Sequence, residues 1–159
     1  SQMFGELIGV WCAHTWETMG SPPRVHLVEM GPGRGTLMKD LLRAAAKVPG
    51  FADALDIHLV EVSQRLQGIQ RDALSGHNVT WHQSLASVPD DAPLVLVANE
   101  LLDALPIRQF QRTLGGWCER LVDVDGAAGA IGFRFVLAQA PSPAAALIPA
   151  EVSGATIGR

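Results

Sequence analysis

The first hundred residues alternate short, almost continuously apolar runs with longer segments whose apolar residues recur every three or four positions. Short runs rich in Val, Leu and Ile are typical of strands in a parallel sheet, and the longer period is typical of helices. Their alternation predicts an α/β fold, a parallel sheet with helices on both faces. The predicted strands are residues 25–29, 56–62, 78–82 and 94–99, and the predicted helical segments are residues 1–20, 37–48 and 64–74.

The pattern changes after Pro106. Three strand-like runs follow, separated by LGG at residues 114–116 and by DG at residues 125–126, which are typical hairpin turns. The sequence therefore predicts an inserted antiparallel β-meander after the parallel sheet. We divide the chain into an α/β core over residues 1–106, a meander over residues 107–140 and a tail over residues 141–159.

The most informative motif, EMGPGRGT at residues 29–36, lies where the first predicted strand gives way to a helix. Its glycines let the backbone turn sharply and approach a ligand closely, and the start of the helix offers free N–H donors. In an open parallel sheet, ligands bind beyond the carboxyl ends of the strands. We predict a binding loop here, the alternative being a tight turn without a ligand. The predicted binding residues are Glu29, Gly31, Gly33 and Gly35.

Two details of this motif narrow the choice of ligand. A phosphate-binding loop would end in Gly-Lys-Ser/Thr, and the motif has no lysine. A dinucleotide fingerprint needs a third glycine where this chain has Thr36, which disfavours an NAD-binding oxidoreductase but leaves it open. Gly-x-Gly-x-Gly preceded by Glu29 resembles motif I of Rossmann-like S-adenosylmethionine-dependent methyltransferases. There the acid and the glycine backbone handle the amino-acid end of the cofactor.

Polar residues also follow the second and third predicted strands. Glu61 ends the second strand, where a carboxylate can accept both hydrogen bonds of a ribose diol; a solvated strand-end charge is the alternative. Gln83 and Ser84 follow the third strand at the usual adenine-edge position, although loop polarity explains them nearly as well.

The fourth predicted strand runs into NELLDALP, which places Asn99, Glu100 and Asp103 at the same crevice as the glycine-rich loop. Carboxylates there could accept hydrogen bonds from a guanidinium, orient it and share in proton removal. The alternative is an N-cap with an acid in the first turn of the next helix.

Composition narrows the classes of function. The chain has 159 residues, a formal net charge of −4, 48% hydrophobic residues and 18% charged residues. These values exclude a disordered chain and disfavour nucleic acid or an anionic membrane as the main partner. Two distant cysteines indicate a reducing compartment, and no apolar run is long enough to span a bilayer. We predict no metal site, because His26 and His58 lie inside strands and His14, His77 and His82 lack ligand spacing.

Three segments carry a resemblance to a known family. SQMFGELIGVW, LVEMGPGRGTLMKDLLRA and VANELLDALPIRQF resemble the MidA-type protein arginine methyltransferase family, whose mitochondrial members assist assembly of respiratory complex I. The resemblance implies a class I methyltransferase fold that binds S-adenosylmethionine and methylates an arginine of a protein partner. It implies that the loop from Glu29 to Gly35 and Glu61 hold the cofactor, and that Asn99, Glu100 and Asp103 line the transfer site. A non-catalytic assembly factor that keeps this fold is the alternative.

Members of the family continue beyond both ends of this sequence. We therefore expect an internal fragment that lacks the C-terminal strands of the full domain and is weakly active or inactive by itself. The expected partner is an arginine-bearing protein such as a complex I subunit, with no nucleic acid and no membrane insertion. We expect the meander to form the substrate or homodimer surface. Low lysine usage favours a bacterial cytoplasm, and a eukaryotic source would indicate the mitochondrion.

Overall fold

A four-stranded parallel sheet dominates the first of two units in the computed structural model of this chain, which describes residues 1–125 and 132–148. The units comprise residues 1–104 and 105–159. The strands of the first unit are β1 (Val25–Met30), β2 (Leu55–Val60), β3 (Val79–His82) and β4 (Leu94–Val97), and its α-helices are α1 (Gln2–Thr18), α2 (Thr36–Ala45), α3 (Phe51–Ala54) and α4 (Gln64–Ala73). The expected α/β fold is confirmed.

The strand order β3-β2-β1-β4 decides where a ligand can bind. The chain builds outward from β1 to β3 and then returns to the other side of β1 to add β4. This reversal opens a crevice at the carboxyl ends of β1 and β4. Glu29 pairs with Val97 in the last step of the β1–β4 register, so the glycine-rich loop and the segment after β4 leave the sheet side by side.

The hydrophobic core lies on the face of the sheet against which the helices pack. Leu27 and Leu59 are fully buried there, and Phe51 contacts Trp16 with ring centroids 5.4 Å apart. Phe51 belongs to α3, a four-residue helix that the sequence pattern did not predict because the preceding Pro-Gly pair indicated only a turn.

Helix α1 packs on α2 through glycines rather than through its large apolar residues. A Cβ on Gly5 would lie 2.5 Å from the Cβ of Asp40, and one on Gly9 would lie 2.6 Å from the carbonyl oxygen of Leu41. The apolar spacing correctly predicted this helix, yet close approach of the two backbones selects a different face for burial. Of the four large side chains at helical spacing, Ile8 packs against the core, whereas Phe4 is 44% exposed, Leu7 61% and Trp11 53%.

The second unit is an antiparallel meander, as expected. Its strands are β5 (Gln109–Thr113), β6 (Gly116–Asp125) and β7 (Gly132–Pro141), in the order β5-β6-β7, followed by a 3-10 helix at Pro143–Leu147. Leu114 and Gly115 form the first predicted turn, whereas the second, at residues 125–126, extends outside the described residues. Cys118 is the one buried residue among the described residues of this unit.

The described part of the chain has no helix that is long and apolar enough to cross a membrane.

Candidate functional site

The glycine-rich loop adopts a backbone that only glycine accepts readily. Gly31, Gly33 and Gly35 have φ angles of 63°, 54° and 77°, all in the left-handed region. The N–H of Gly31 donates to the carbonyl of Val60 at 3.1 Å, and the N–H of Gly35 donates to the carbonyl of Pro32 at 2.8 Å. The loop therefore leaves β1 still attached to β2, turns tightly and enters α2.

Two glycines of this loop face different surroundings. A Cβ on Gly31 would lie 2.6 Å from Cδ1 of Leu101, so that side chain packs directly on the glycine backbone. A Cβ on Gly33 would meet nothing within 4 Å. Gly31 thus brings the segment after β4 against the loop, and Gly33 leaves open space beside a backbone that a ligand could approach.

Glu29 is the one buried acid of the site without a full set of partners. It is 3% exposed, and its Oε2 atom has no hydrogen-bond partner in the described structure. Burial raises the pKa of this carboxyl to about 7, and a backbone hydrogen bond from Met38 offsets only part of that effect. A buried carboxylate oxygen beside an open glycine backbone suits a ligand that brings a cationic or N–H donor group, such as the amino-acid end of S-adenosylmethionine.

Gln70 joins three parts of the site and was missed by the sequence analysis. This fully buried side chain of α4 donates to the carbonyl of Gly33 at 2.8 Å and to Oε2 of Glu61 at 3.2 Å. Its Oε1 accepts from the indole N–H of Trp81 at 2.8 Å. The amide thus fixes the glycine-rich loop, the acid after β2 and an aromatic side chain of β3 in one arrangement. The sequence offered one signal for this role. Gln70 lies one helical turn after Gln67, at a position where an apolar residue would be expected to face the sheet.

Glu61 is held in place from both sides. Its Oε1 accepts from the backbone N–H of Ser63 at 2.8 Å, and its main-chain carbonyl accepts from Gln67 at 2.8 Å. Each carboxylate oxygen has two lone pairs, so each retains one for a ligand hydroxyl. The arrangement presents a fixed, 8% exposed pair of acceptors at the carboxyl end of β2.

Gln83 and Ser84 lie exposed in the loop after β3. Ser84 accepts from the hydroxyl of Ser87 at 2.9 Å through its backbone carbonyl. Neither side chain joins the hydrogen bonds around Gln70, and a role at an adenine edge stays a prediction.

Exposed polar side chains follow β4. Glu100 has a φ of 51°, a strained conformation for a residue other than glycine and one that recurs at functional sites. Asn99 lines two neighbouring pockets of about 220 and 170 Å³, the larger of which is bounded by apolar side chains of α1. Glu100 and Asp103 line a third pocket of about 280 Å³. Asp103 belongs to a 3-10 turn at Leu102–Ala104 instead of the first turn of an α-helix.

Curated proteins of similar sequence include mitochondrial protein arginine methyltransferases. The mitochondrial protein arginine methyltransferase NDUFAF7 of Mus musculus is 43% identical over 172 residues, which cover 93% of this chain and 39% of the relative. The homologue from Drosophila melanogaster is 39% identical and covers 92% of this chain and 39% of its own length. The chain thus spans about two fifths of the length of these relatives.

A solved structure agrees with this likeness. A protein from Burkholderia thailandensis, crystallised with S-adenosyl-homocysteine, superposes with a TM-score of 0.64 at 29% identity, covering 97% of this chain and 38% of that one. A family model described as "Putative S-adenosyl-L-methionine-dependent methyltransferase" matches residues 7–156. The chain belongs to this methyltransferase family.

Proposed function

We propose that the protein containing this chain binds S-adenosylmethionine and transfers its methyl group to an arginine of a protein partner. The observation that carries the proposal is the unpartnered, buried carboxylate oxygen of Glu29 beside a glycine turn with open space at Gly33. Membership of the methyltransferase family and the names of the curated relatives support the same reaction.

When bound, S-adenosylmethionine supplies an electrophilic methyl on a sulfonium. Glu29 would receive the ammonium of the amino-acid end, and the turn from Gly31 to Gly35 would contact that end through its backbone. Glu61 would accept from the ribose hydroxyls, with Gln70 fixing its position. Gln83 and Ser84 would lie at the adenine edge.

At the transfer site, the residues after β4 orient the arginine. Asn99, Glu100 and Asp103 offer oxygens that accept from guanidinium N–H groups and hold one nitrogen in line for attack. The very high pKa of arginine disfavours loss of its proton before attack. A nearby carboxylate instead localises the guanidinium's electron density, and the proton leaves during or after transfer.

The proposal also includes a protein partner and a cellular compartment. The relatives' names indicate a protein substrate, and the family resemblance favours a subunit of respiratory complex I. The curated relatives are mitochondrial. For this chain, which has only two lysines, we favour a bacterial cytoplasm.

Calorimetry on the intact protein tests the cofactor. We expect S-adenosylhomocysteine to bind and NAD not to bind. Gly33→Ala should weaken binding at least tenfold, because a Cβ would occupy the open space beside the turn and would strain a left-handed backbone. Gly68→Ala is the matched control, since its Cβ also meets nothing within 4 Å and its φ is ordinary. Equal affinities in the two variants would contradict the assignment.

Mass spectrometry of arginines in complex I subunits tests the transfer. We expect methylation with the intact enzyme and a loss of at least a hundredfold in rate with Glu100→Gln, while S-adenosylhomocysteine still binds. Glu17→Gln, an exposed change on α1, should leave the rate unchanged. A Glu100→Gln variant that supports complex I assembly fully, without methylation, would instead establish the non-catalytic assembly factor.

A further inference from the structure

Three histidines form a row across one face of the parallel sheet. His26 lies on β1, His58 on β2 and His82 at the end of β3. Nδ1 of His26 lies 3.0 Å from Nε2 of His58, and Nδ1 of His58 lies 2.9 Å from Nε2 of His82. Side chains alternate between the two faces along a strand, so His26 lies on the face opposite Glu29. The row is therefore separate from the candidate cofactor site.

Asp56 adds a carboxylate to the first two histidines. It lies directly beside His26 in the β1–β2 register, and its Oδ2 is 3.3 Å from Nδ1 of His26 and 3.4 Å from Nε2 of His58. A circle through these three atoms has a radius of about 1.9 Å, close to the roughly 2.0–2.2 Å of Zn²⁺ bonds to nitrogen and oxygen. The histidine side chains are 1% and 3% exposed and that of Asp56 is 38% exposed, which leaves a path for an ion.

The hydrogen bond at one end of the row fixes the ring proton of His26. Nε2 of His26 lies 2.9 Å from Oδ1 of Asp91, and Asp91 also pairs with Arg24. Because Asp91 is ion-paired with Arg24, its carboxylate has no proton to donate and accepts from His26. The proton of a neutral His26 therefore sits on Nε2, and Nδ1 carries a lone pair.

The other end of the row fixes the ring proton of His58. The hydroxyl of Ser87 donates to a backbone carbonyl at 2.9 Å, so it accepts from Nδ1 of His82 at 3.1 Å. Nε2 of His82 then carries the lone pair and accepts from Nδ1 of His58. The proton of His58 therefore also points away from Asp56, and Nε2 of His58 carries a lone pair.

Three atoms with lone pairs thus converge within 3.0 to 3.4 Å of one another. With both histidines neutral, these atoms repel one another unless a proton or a metal ion lies between them. Histidines that bind metals usually donate their other ring N–H to a carboxylate or another acceptor, as His26 and His58 do here. The geometry points to a binding site for a Zn²⁺-type divalent cation formed by His26, Asp56 and His58, which fastens β1 to β2.

This site goes beyond the proposed methyl transfer and is independent of it. The prediction of no metal site rested on spacing along the chain, and His26 is 32 residues from His58. The parallel register of β1 and β2 places them together, and no local sequence motif predicts this.

Metal binding to the intact protein, purified without a histidine tag and stripped with a chelator, tests the inference. We expect one equivalent of Zn²⁺ to bind in competition with a chromophoric chelator. Co²⁺ should give the strong visible bands of a four-coordinate site. Saturating Zn²⁺ should raise the Tm by about 5 °C, since a ligand that binds only the folded state stabilises it.

Matched variants locate the site. Asp56→Asn should weaken Zn²⁺ binding at least tenfold, whereas Asp53→Asn on α3 should not change it. His58→Asn should abolish binding, with the exposed His77→Asn as its control. If His58→Asn does not fold, the variant at the partly exposed Asp56 still tests whether the metal binds at this site. S-adenosylhomocysteine affinity should be the same in both aspartate variants, which separates this site from the proposed function.

Two outcomes would overturn the inference. One is the absence of saturable Zn²⁺ and Co²⁺ binding, which would leave a row of histidines sharing a proton. The other is equal Zn²⁺ affinity in Asp56→Asn and Asp53→Asn, which would place any bound metal elsewhere.

Discussion

The parallel sheet of the first unit and the meander of the second distribute apolar side chains in opposite ways. In the first unit, Leu27 and Leu59 are 0% exposed beneath helices. On the meander, Val122, Phe133 and Phe135 are 63%, 76% and 62% exposed. A sheet buries a face only when a second layer packs on it, and the helices supply that layer in the first unit.

This difference changes what a polar side chain means in each unit. In the first unit, Glu29 and Gln70 are buried, so each polar group costs free energy unless a partner satisfies it. On the meander, Arg108 and Glu119 form a bidentate pair at 2.7 and 2.5 Å that stays partly hydrated. The buried polar groups of the first unit, Glu29 and Gln70, are therefore candidates for function. The Arg108–Glu119 pair on the meander is an ordinary surface ion pair.

The largest effect should come from a matched pair of phenylalanines. Phe51→Ala should reduce the free energy of unfolding by about 3–5 kcal/mol, because it removes a fully buried ring that packs on Trp16. Phe135→Ala should cost less than about 1 kcal/mol, since that ring is already largely in water. Urea unfolding of the intact protein measures both. Similar losses would mean that the meander buries its apolar face in solution.

Glu29→Gln should stabilise the ligand-free protein while weakening the cofactor complex. Burial raises the pKa of Glu29 to about 7. The free energy of unfolding is therefore highest below the ordinary pKa of 4.5 and declines as the pH rises through 7. Removing the charge should restore up to about 3 kcal/mol at pH 8. Urea unfolding at pH 5 and pH 8 measures this difference, and calorimetry should record weaker S-adenosylhomocysteine binding. An unchanged pH slope would contradict the assignment.

Gln70→Leu should lower the free energy of unfolding by about 2 kcal/mol, because it leaves the Trp81 N–H and the Gly33 carbonyl without their partner. It should also weaken S-adenosylhomocysteine binding, since Glu61 and the loop lose their common support. Gln111→Leu on the half-buried β5 is the control and should change neither quantity. A loss of stability with unaltered ligand affinity would make Gln70 purely structural.

The smallest effect should come from the charged pair on the meander. Arg108 lowers the pKa of Glu119, so the stability it provides is present at neutral pH and is lost as the pH falls through that lowered pKa. We expect Arg108→Ala to move the urea midpoint only slightly at pH 7 and not at all at pH 2. A large shift at pH 7 would show that this pair is shielded from water in the intact protein.

Much of the first unit was predictable from sequence because its signals are local. Apolar runs located all four strands, and α4 begins at a local capping residue, Ser63, whose hydroxyl accepts from the N–H of Leu66 at 3.4 Å. The glycine-rich turn was recognised from its spacing, and three left-handed φ angles explain why glycine stands there. The roles of Glu61, Asn99 and Glu100 were predicted from strand ends and resemblance, and they stay predictions.

Other features depend on contacts between distant segments. Gln70 was missed because its importance comes from Gly33, 37 residues earlier, and from Trp81 on another strand. The buried face of α1 was missed because glycines carry no hydrophobic signal, although a Cβ on Gly5 or Gly9 would clash with α2.

The sequence by itself determined the succession of strands and helices along the chain, the position of the glycine-rich turn and the family. Each of these rests on periodicity or on neighbours in the chain. Only the tertiary structure decided which helix face is buried, that Glu29 keeps an unpartnered oxygen, and that His26, Asp56 and His58 converge. The physical reason is that burial and strand register are properties of packed pairs, which no single segment contains.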